Sequence, residues 1–267
     1  MKFSDQLKRQ LEILTFPPKR IISLVPSQTE LLSDLGLDEE VIGITKFCVR
    51  PAHWFHTKTR IGGTKKINLS LIRSLHPDLI IANKEENLQQ EVEALAKDFP
   101  VWISDVRNLE DSYEMIKVIG ELVGKQDTAA ELIEKIKSNF RSIFSQTENS
   151  NHELRTAYLI WKDPLMTIGG DTFISNMMTI CGFENIFQGE HRYPEVSLGQ
   201  LSTVNCQLLL LSSEPFPFKQ KHIEELQQIL PETKIILVDG EMFSWYGSRL
   251  LHAPAYFSKL RQLVFNA

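Results

Sequence analysis

Strand and helix signals alternate along most of this chain of 267 residues. Apolar runs of strand length, such as residues 20–25, 79–82 and 208–211, are each followed by a segment with apolar residues at helical spacing. This alternation predicts an α/β fold in which helices cover the strands of a sheet. A chain of this length with 42% hydrophobic residues can form two lobes that each have their own core.

The longest helical pattern without a breaker predicts where the lobes divide. Ala130, Ile133 and Ile136 recur at helical spacing in a run of about twenty residues, which corresponds to about 30 Å of helix at 1.5 Å per residue. The alternation of strands and helices restarts after it. We therefore predict an N-terminal α/β lobe over residues 1–126, a connecting backbone helix over 127–150 and a C-terminal α/β lobe over 151–267.

Charge and composition exclude several classes of protein. The net charge of −5 comes without a basic stripe, so no nucleic-acid partner is expected. No run reaches the roughly 18 apolar residues that a membrane span needs, and three dispersed cysteines form no disulfide framework. The first residues lack an apolar core of signal-peptide length, and residues 4–14 instead predict a short amphipathic helix. These features predict a cytoplasmic protein with no segment inserted in a membrane.

Residues that directly follow each predicted strand are the candidate binding site, because open α/β sheets bind ligands at the carboxyl ends of their strands. These positions are aromatic and sparsely polar, which is typical of a site for a large, partly apolar ligand. The alternative is that the rings only fill the cores. Residues 83–84 and 214–216 also follow strands, and the candidates that we select are Pro26, Ser27, Gln28, Phe47, Trp161, Glu241, Phe243 and Trp245.

Arg249 is a further candidate because it begins the last predicted helix, over residues 248–264. A cation at a helix N-terminus opposes the helix dipole, so a negative group is expected beside it. The sequence leaves open whether that group is Glu241 or an anionic part of the ligand. Lys65 and Lys66 could also contact an anionic group, although a solvated pair in a loop is the simpler interpretation.

Signatures of catalysis are absent from the sequence. It has no G-x-S-x-G elbow, no P-loop and no HExxH motif, and no nucleophile is paired with a base, so we do not predict an enzyme. Cys48 and His191 are weak candidates for a metal ligand, and a buried inert thiol is the alternative for Cys48. His53 and His56 have a spacing that can bind metal, but a solvated loop is the simpler interpretation.

Several segments taken in order resemble the vitamin B12 and iron-siderophore periplasmic binding proteins. Residues 18–32, PKRIISLVPSQTELL, resemble the opening of that family, and the similarity continues for nearly the whole remaining chain. The other matching segments are NLSLI at 68–72, PDLIIA at 77–82, GGDTFI at 169–174, CGFENIF at 181–187, YPEVS at 193–197 and SR at 248–249.

The resemblance implies a fold, a ligand class and a site. The fold would be two Rossmann-like lobes joined by a single long helix, the class III type of the helical-backbone metal receptors. The ligand would be a corrinoid, a haem or a siderophore held between the lobes, with cobalamin favoured. Tyr193 joins the candidate site by its matched position. The family implies a monomer with no intrinsic cofactor and no catalysis.

Two departures from the family shape the functional hypothesis. Members that serve an ABC permease place a surface glutamate on each lobe, and here Thr59 and the Leu198–Gly199 pair stand at those positions. Glu190 or Glu195 could substitute. Together with the missing leader, this predicts a receptor that binds a corrinoid-like ligand inside the cell without an importer. The alternatives are a conventional importer subunit and an enzyme that acts on a metal complex through Cys48 or His191.

Overall fold

The computed structural model describes residues 1–148 and 154–265. The chain divides into two compact units. Unit 1 contains Met1–Val106, Glu110–Ile136 and Tyr246–Arg249, and unit 2 contains Arg107–Leu109, Lys137–Trp245 and the chain from Leu250 onward. The predicted division at residues 126 and 150 stays a prediction, because both units include short segments from distant parts of the chain.

The secondary structure alternates as expected. The elements up to the long helix are β1 (Lys2–Ser4), β2 (Gln10–Glu12), β3 (Ile21–Ser23), α1 (Pro26–Asp34), β4 (Val41–Ile44), α2 (Ala52–Thr57), β5 (Thr59–Arg60), β6 (Gly62–Gly63), β7 (Lys66–Ile67), α3 (Leu69–Ser74), β8 (Leu79–Asn83), α4 (Gln89–Ala96), β9 (Val101–Ser104), α5 (Leu109–Leu122) and α6 (Gln126–Glu148). The later elements are β10 (Leu154–Leu159), α7 (Phe173–Ile180), β11 (Phe183–Asn185), α8 (Leu198–Thr203), β12 (Leu208–Ser212), α9 (Gln220–Gln227), β13 (Lys234–Val238), α10 (Gly240–Ser244), a 3-10 turn (Ser248–Leu251) and α11 (Ala253–Phe265).

A five-stranded parallel sheet in the order β5-β4-β3-β8-β9 forms the centre of unit 1. Ile22 pairs with Ile80, which in turn pairs with Val101. Strands β3, β8 and β9 are buried along their whole length. A parallel sheet covered by helices on both faces requires continuous apolar strands of this kind.

Unit 2 is built on a four-stranded parallel sheet in the order β11-β10-β12-β13. Its third strand, β12, is buried throughout, and Leu210 pairs with Tyr158 on one side and Ile236 on the other. Helix α6 begins in the part of the chain that belongs to unit 1 and ends in the part that belongs to unit 2. Residues 149–150 of the predicted backbone helix lie outside the described residues.

The predicted helix over residues 4–14 is wrong, because this segment forms a hairpin of β1 and β2. The Asp5 carboxylate accepts hydrogen bonds from the backbone of Leu7 at 3.0 Å and of Arg9 at 2.8 Å. Lys8 takes a positive φ of 64°, which a helix does not allow. The Asp5 side chain therefore stabilises a turn where the apolar spacing alone indicates a helix.

The helix predicted over residues 248–264 begins later in the structure, at Ala253, and ends at Phe265. The chain forms the 3-10 turn Ser248–Leu251 and then α11, whose second residue is Pro254. Proline fits the first turn of a helix because its missing N–H has no partner there in any case. No described helix is both long enough and apolar enough to cross a membrane.

Candidate functional site

The first turn of α1 lies at the carboxyl end of β3 and contains Pro26, Ser27 and Gln28, all buried. The Gln28 amide donates to Ser104 Oγ and lies 3.4 Å from Met115 Sδ. Ser27 and Glu30 have the spacing of a capping box, but no such box forms, because Val25 is the N-cap and Pro26 begins the helix. These three residues are therefore packed into unit 1.

Phe47 follows β4 and is 51% exposed, with Lys46 Nζ 5.0 Å from its ring centroid. Its neighbour Cys48 is fully buried, and its thiol lies 3.1 Å from the hydroxyls of Thr29 and Thr45. Burial raises the pKa of the Cys48 thiol to about 11. Phe47 thus presents an accessible ring, whereas Cys48 remains a protonated, packed thiol.

Trp161 is the exposed ring at the matching place in unit 2, directly after β10. Its side chain is 39% exposed, and its Nε1 donates to the Asp163 carbonyl at 3.2 Å. The Phe216 ring lies edge-on to it at a centroid distance of 5.8 Å. Phe216 follows the predicted strand 208–211, so its position in the sequence could have placed it among the candidates.

Glu214 contacts the candidate residue Trp245 and was not selected from the sequence. One of its oxygens, Oε1, accepts a hydrogen bond from Ser244 Oγ at 2.6 Å and another from Trp245 Nε1 at 3.0 Å. Trp245 is buried, and Glu241 is half-buried in the first turn of α10. Position after a strand is the signal that could have identified Glu214, because it is the second residue of the loop that follows β12.

The ring of Phe243 belongs to the core of unit 2 and is fully buried. Its centroid lies 5.2 Å from that of Tyr158 and 4.9 Å from that of Phe257. The aromatic residues after β13 thus divide between two roles. Phe243 packs the core, which is the alternative that the sequence left open, and Trp245 is held by Glu214.

Arg249 has an acidic partner in the structure, and the acid that the hydrogen bonds identify is Glu30, which the sequence did not single out. Its guanidinium forms two hydrogen bonds with Glu30 on α1, one from Nε to Oε2 at 3.0 Å and one from Nη2 to Oε1. Both groups belong to unit 1 and are largely buried. Glu30 was missed because its spacing to Ser27 indicated a capping box instead.

Tyr193 and His191 lie in the loop between β11 and α8. The Tyr193 residue is half-buried, while the His191 side chain is 90% exposed, with Nδ1 3.7 Å from Asp171 Oδ2. Within residues 1–148 and 154–265, no three His, Cys, Asp or Glu side chains are grouped so that they could hold a metal ion. Among the described residues, neither Cys48 nor His191 therefore belongs to a group of three such side chains.

Solved structures with this fold include the periplasmic vitamin B12-binding protein of Vibrio cholerae. It matches with a TM-score of 0.80 and 21% identity over 95% of this chain and 100% of that one. A periplasmic haem-binding protein from Pseudomonas aeruginosa matches with a TM-score of 0.79 and 16% identity over 94% of both chains. The predicted α/β fold of the class III periplasmic-binding type is confirmed.

Sequence relatives agree with this fold. The vitamin B12-binding protein of Vibrio campbellii is 27% identical over 198 residues, which cover 73% of this chain and 71% of that protein. The ABC transporter substrate-binding lipoprotein YvrC of Bacillus subtilis, itself uncharacterized, is 30% identical over 189 residues, which cover 68% of this chain and 59% of that protein. These relatives are solute-binding proteins.

The predicted cytoplasmic location is wrong. The relatives and the similar structures are periplasmic proteins or a lipoprotein, and these are found outside the cytoplasm. The prediction failed because it drew on the first residues alone. The hypothesis of a receptor that works inside the cell fails with it.

The family model described as periplasmic binding protein matches residues 21–232, which include the strands of the unit 1 sheet, helix α6 and the first strands of unit 2. The match spans the segments on which the resemblance was based, from the PSQTE turn to the YPEVS loop. The chain therefore belongs to the periplasmic binding protein family.

Proposed function

We propose that this protein is the substrate-binding subunit of an ABC importer and binds a corrinoid or a related metal chelate, with cobalamin as the first candidate. The observation that carries the proposal is a pair of exposed aromatic rings, Phe47 in unit 1 and Trp161 in unit 2. Each follows a parallel strand at its carboxyl end, which is where α/β proteins bind ligands.

Exposed rings at these positions suit a large planar ligand. A metal macrocycle has an apolar face that packs on aromatic side chains and a polar rim that accepts or donates hydrogen bonds. Corrinoids and haems share this chemistry, and both classes of binding protein have the same fold as this chain. The vitamin B12-binding relatives favour the corrinoid.

The environments of Cys48 and His191, the two residues considered for catalysis, support binding without catalysis. A thiol must ionise to act as a nucleophile, and burial holds Cys48 protonated at neutral pH. His191 is exposed and its contact with Asp171 is long, so it is not oriented as a general base. We propose no intrinsic cofactor, and the metal arrives with the ligand.

An importer subunit must bind a permease, and the family resemblance implies which surface positions would take part. Thr59 is exposed on β5 and Gly199 is exposed on α8, so neither offers the charge that steers docking in the family. Glu190 and Glu195 are both exposed on unit 2 and can supply charge there. Affinity capture from the native host tests the partnership, and recovery of no membrane permease would count against it.

Titration of the purified protein with cyanocobalamin, aquocobalamin and haemin tests the ligand class directly. We expect micromolar or tighter binding of a corrinoid by calorimetry. A visible spectrum that shifts with aquocobalamin alone would indicate a protein ligand to cobalt, which His191→Ala and Cys48→Ser then identify. Binding of haemin alone would replace the corrinoid with haem, and binding of none of the three would contradict the proposal.

Replacement of the exposed rings tests the site. We expect Phe47→Ala and Trp161→Ala each to weaken binding about tenfold or more, because aromatic anchors supply much of the energy at binding sites. Phe144→Ala is the matched control, since Phe144 is also 39% exposed but lies on α6, away from any strand end. An equal effect from all three variants would remove the proposed role of the strand-end rings.

A further inference from the structure

Glu214 connects the loop after β12 to helix α10 in unit 2. The Ser212 hydroxyl donates to the Glu214 carbonyl at 2.5 Å, and the Glu214 backbone N–H donates back to that hydroxyl at 3.2 Å. These bonds fix the backbone, and the side chain then reaches Ser244 and Trp245 through Oε1. A carboxylate that accepts two side-chain hydrogen bonds is a strong and directional anchor.

Close packing also holds the first residue of α10, Gly240, against the loop that contains Glu214. A Cβ atom on Gly240 would lie 2.6 Å from Glu214 Cγ and 2.5 Å from Ser212 Oγ, which leaves room for glycine alone. The Gly240 N–H donates to Ser213 Oγ at 2.9 Å. Helix α10 is therefore held to the β12 loop at its first residue by packing and at its last by Glu214.

Asp239 and Glu241 are near Glu214 and carry like charge, and Tyr158 of β10 is a further titratable side chain beside it. Burial raises the pKa of Glu214, and the two acids raise it further. Burying a carboxyl group costs free energy unless it forms hydrogen bonds, and Glu214 forms one with the Trp245 indole.

We propose that Glu214 is a positioning residue that fixes the Trp245 indole and the last turn of α10, and that it thereby sets the affinity for the metal chelate. The consequence for the ligand rests on the proposed function. The structural part concerns Glu214, Ser244 and Trp245 alone and does not depend on which chelate binds. Glu241 and Trp245, both candidate ligand contacts, lie on or next to the turn that Glu214 holds.

Nitrogen-15 labelling of the four tryptophans tests the positioning directly. We expect the Trp245 indole N–H signal, assigned with Trp245→Phe, to be protected from exchange and to lose that protection in Glu214→Ala. Glu214→Gln keeps an acceptor oxygen and should restore most of it. The Trp54 indole, which donates to Asp38, serves as an internal reference that should not move. An unchanged Trp245 signal in Glu214→Ala would overturn the proposal.

Ligand titration of the same variants tests the functional part with cyanocobalamin and haemin as probes. We expect Glu214→Ala to weaken binding about tenfold and Glu214→Gln to remain within about threefold of the unmodified protein, as the loss of one charged hydrogen bond implies. Glu232→Gln, an exposed carboxylate of unit 2, should have no effect. If the Trp245 indole signal changes in Glu214→Ala but the affinity for the chelate stays the same, the inference fails while the proposed function stands. If neither chelate binds the unmodified protein, the proposed function fails.

Discussion

The ion pair between Glu30 and Arg249 joins two segments of unit 1 that are 219 residues apart in sequence. The side chains are 16% and 9% exposed, respectively. Burial raises the pKa of Glu30, and Arg249 acts against that shift. Burying two charges costs free energy, and the attraction between the two charges offsets that cost. Removing one partner leaves the other charge buried without compensation, which destabilises the fold.

Loss of one partner should therefore be more harmful than loss of both. We expect Arg249→Met to lower the free energy of unfolding by about 3 kcal/mol, and the double variant Glu30→Gln with Arg249→Met to recover a large part of that loss. Urea unfolding measures both values. Arg73→Met is the matched control, because its pair with Asp98 is more than two-fifths exposed on each side and should cost less than about 1 kcal/mol. Equal costs for the two arginines would contradict the role of burial.

Glu214 gives stability a defined dependence on pH. Because burial raises the pKa of Glu214 above 4.5, the folded protein binds more protons there than the unfolded chain does in the window that begins near pH 4.5 and extends upward. This carboxyl therefore lowers the free energy of unfolding as pH rises through that window. Glu30 has the same direction of shift, so a comparison of two proteins that both retain Glu30 isolates Glu214.

We expect Glu214→Gln to gain stability relative to the unmodified protein as pH rises from about 4.5 to about 7, since the amide carries no charge. Urea unfolding of both proteins across this range measures the difference. The difference should be smallest at the acid end, where the fewest Glu214 carboxyl groups are ionised in either state. A difference that does not change with pH would show that ionisation of Glu214 is not the cause.

At the scale of single elements, helix α7 shows how local chemistry sets a boundary. Thr172 is its N-cap, with Oγ1 accepting from the Ser175 N–H at 3.2 Å and donating to the Gly169 carbonyl at 2.8 Å. A cap of this kind satisfies an N–H that the helix itself leaves without an acceptor. The cap also ties α7 to the Gly169 loop that precedes it.

We expect Thr172→Ala to lower the free energy of unfolding by about 1 kcal/mol, and Thr172→Ser to restore most of that. Thermal or urea unfolding measures the effect. Thr203→Ala provides the comparison, because Thr203 is exposed at the end of α8 and its hydroxyl bonds the backbone of its own helix. If Thr172→Ala is no more harmful than Thr203→Ala, the cap contributes nothing.

The elements that sequence predicts well are those whose burial is continuous. The strands β3, β8 and β12 are apolar and buried along their length, so composition and length identify them directly. Asn68 is a residue type that favours a helix N-cap, and it caps α3 with Oδ1 accepting from the Leu71 N–H at 3.0 Å. In these cases the local signal and the tertiary contact agree.

Sequence fails where a distant partner overrides a local pattern. Ser27 and Glu30 have the spacing of a capping box, but the buried Arg249 takes the carboxylate. Phe243 and Trp245 are both aromatic residues after a strand, and only their partners, the core rings of Tyr158 and Phe257 and the carboxylate of Glu214, separate their roles. The pattern places candidates at the strand ends, and packing decides which of them remain accessible.

At the scale of the whole molecule, the two units should respond separately to the loss of Arg249. We expect hydrogen exchange in Arg249→Met to speed up in unit 1, for example at the Leu24 N–H that bonds the Ile81 carbonyl. The amides of β12 in unit 2 serve as the control and should keep their protection. Equal loss of protection in both units would show that they unfold as one cooperative body.

Unit 1 cannot form completely until late in synthesis, because it includes Tyr246–Arg249 as well as the N-terminal residues. During synthesis the N-terminal part of a protein usually folds first. Here Glu30 leaves the ribosome long before Arg249 exists to neutralise it, so the first unit to be made is held short of its full stability until translation nears completion.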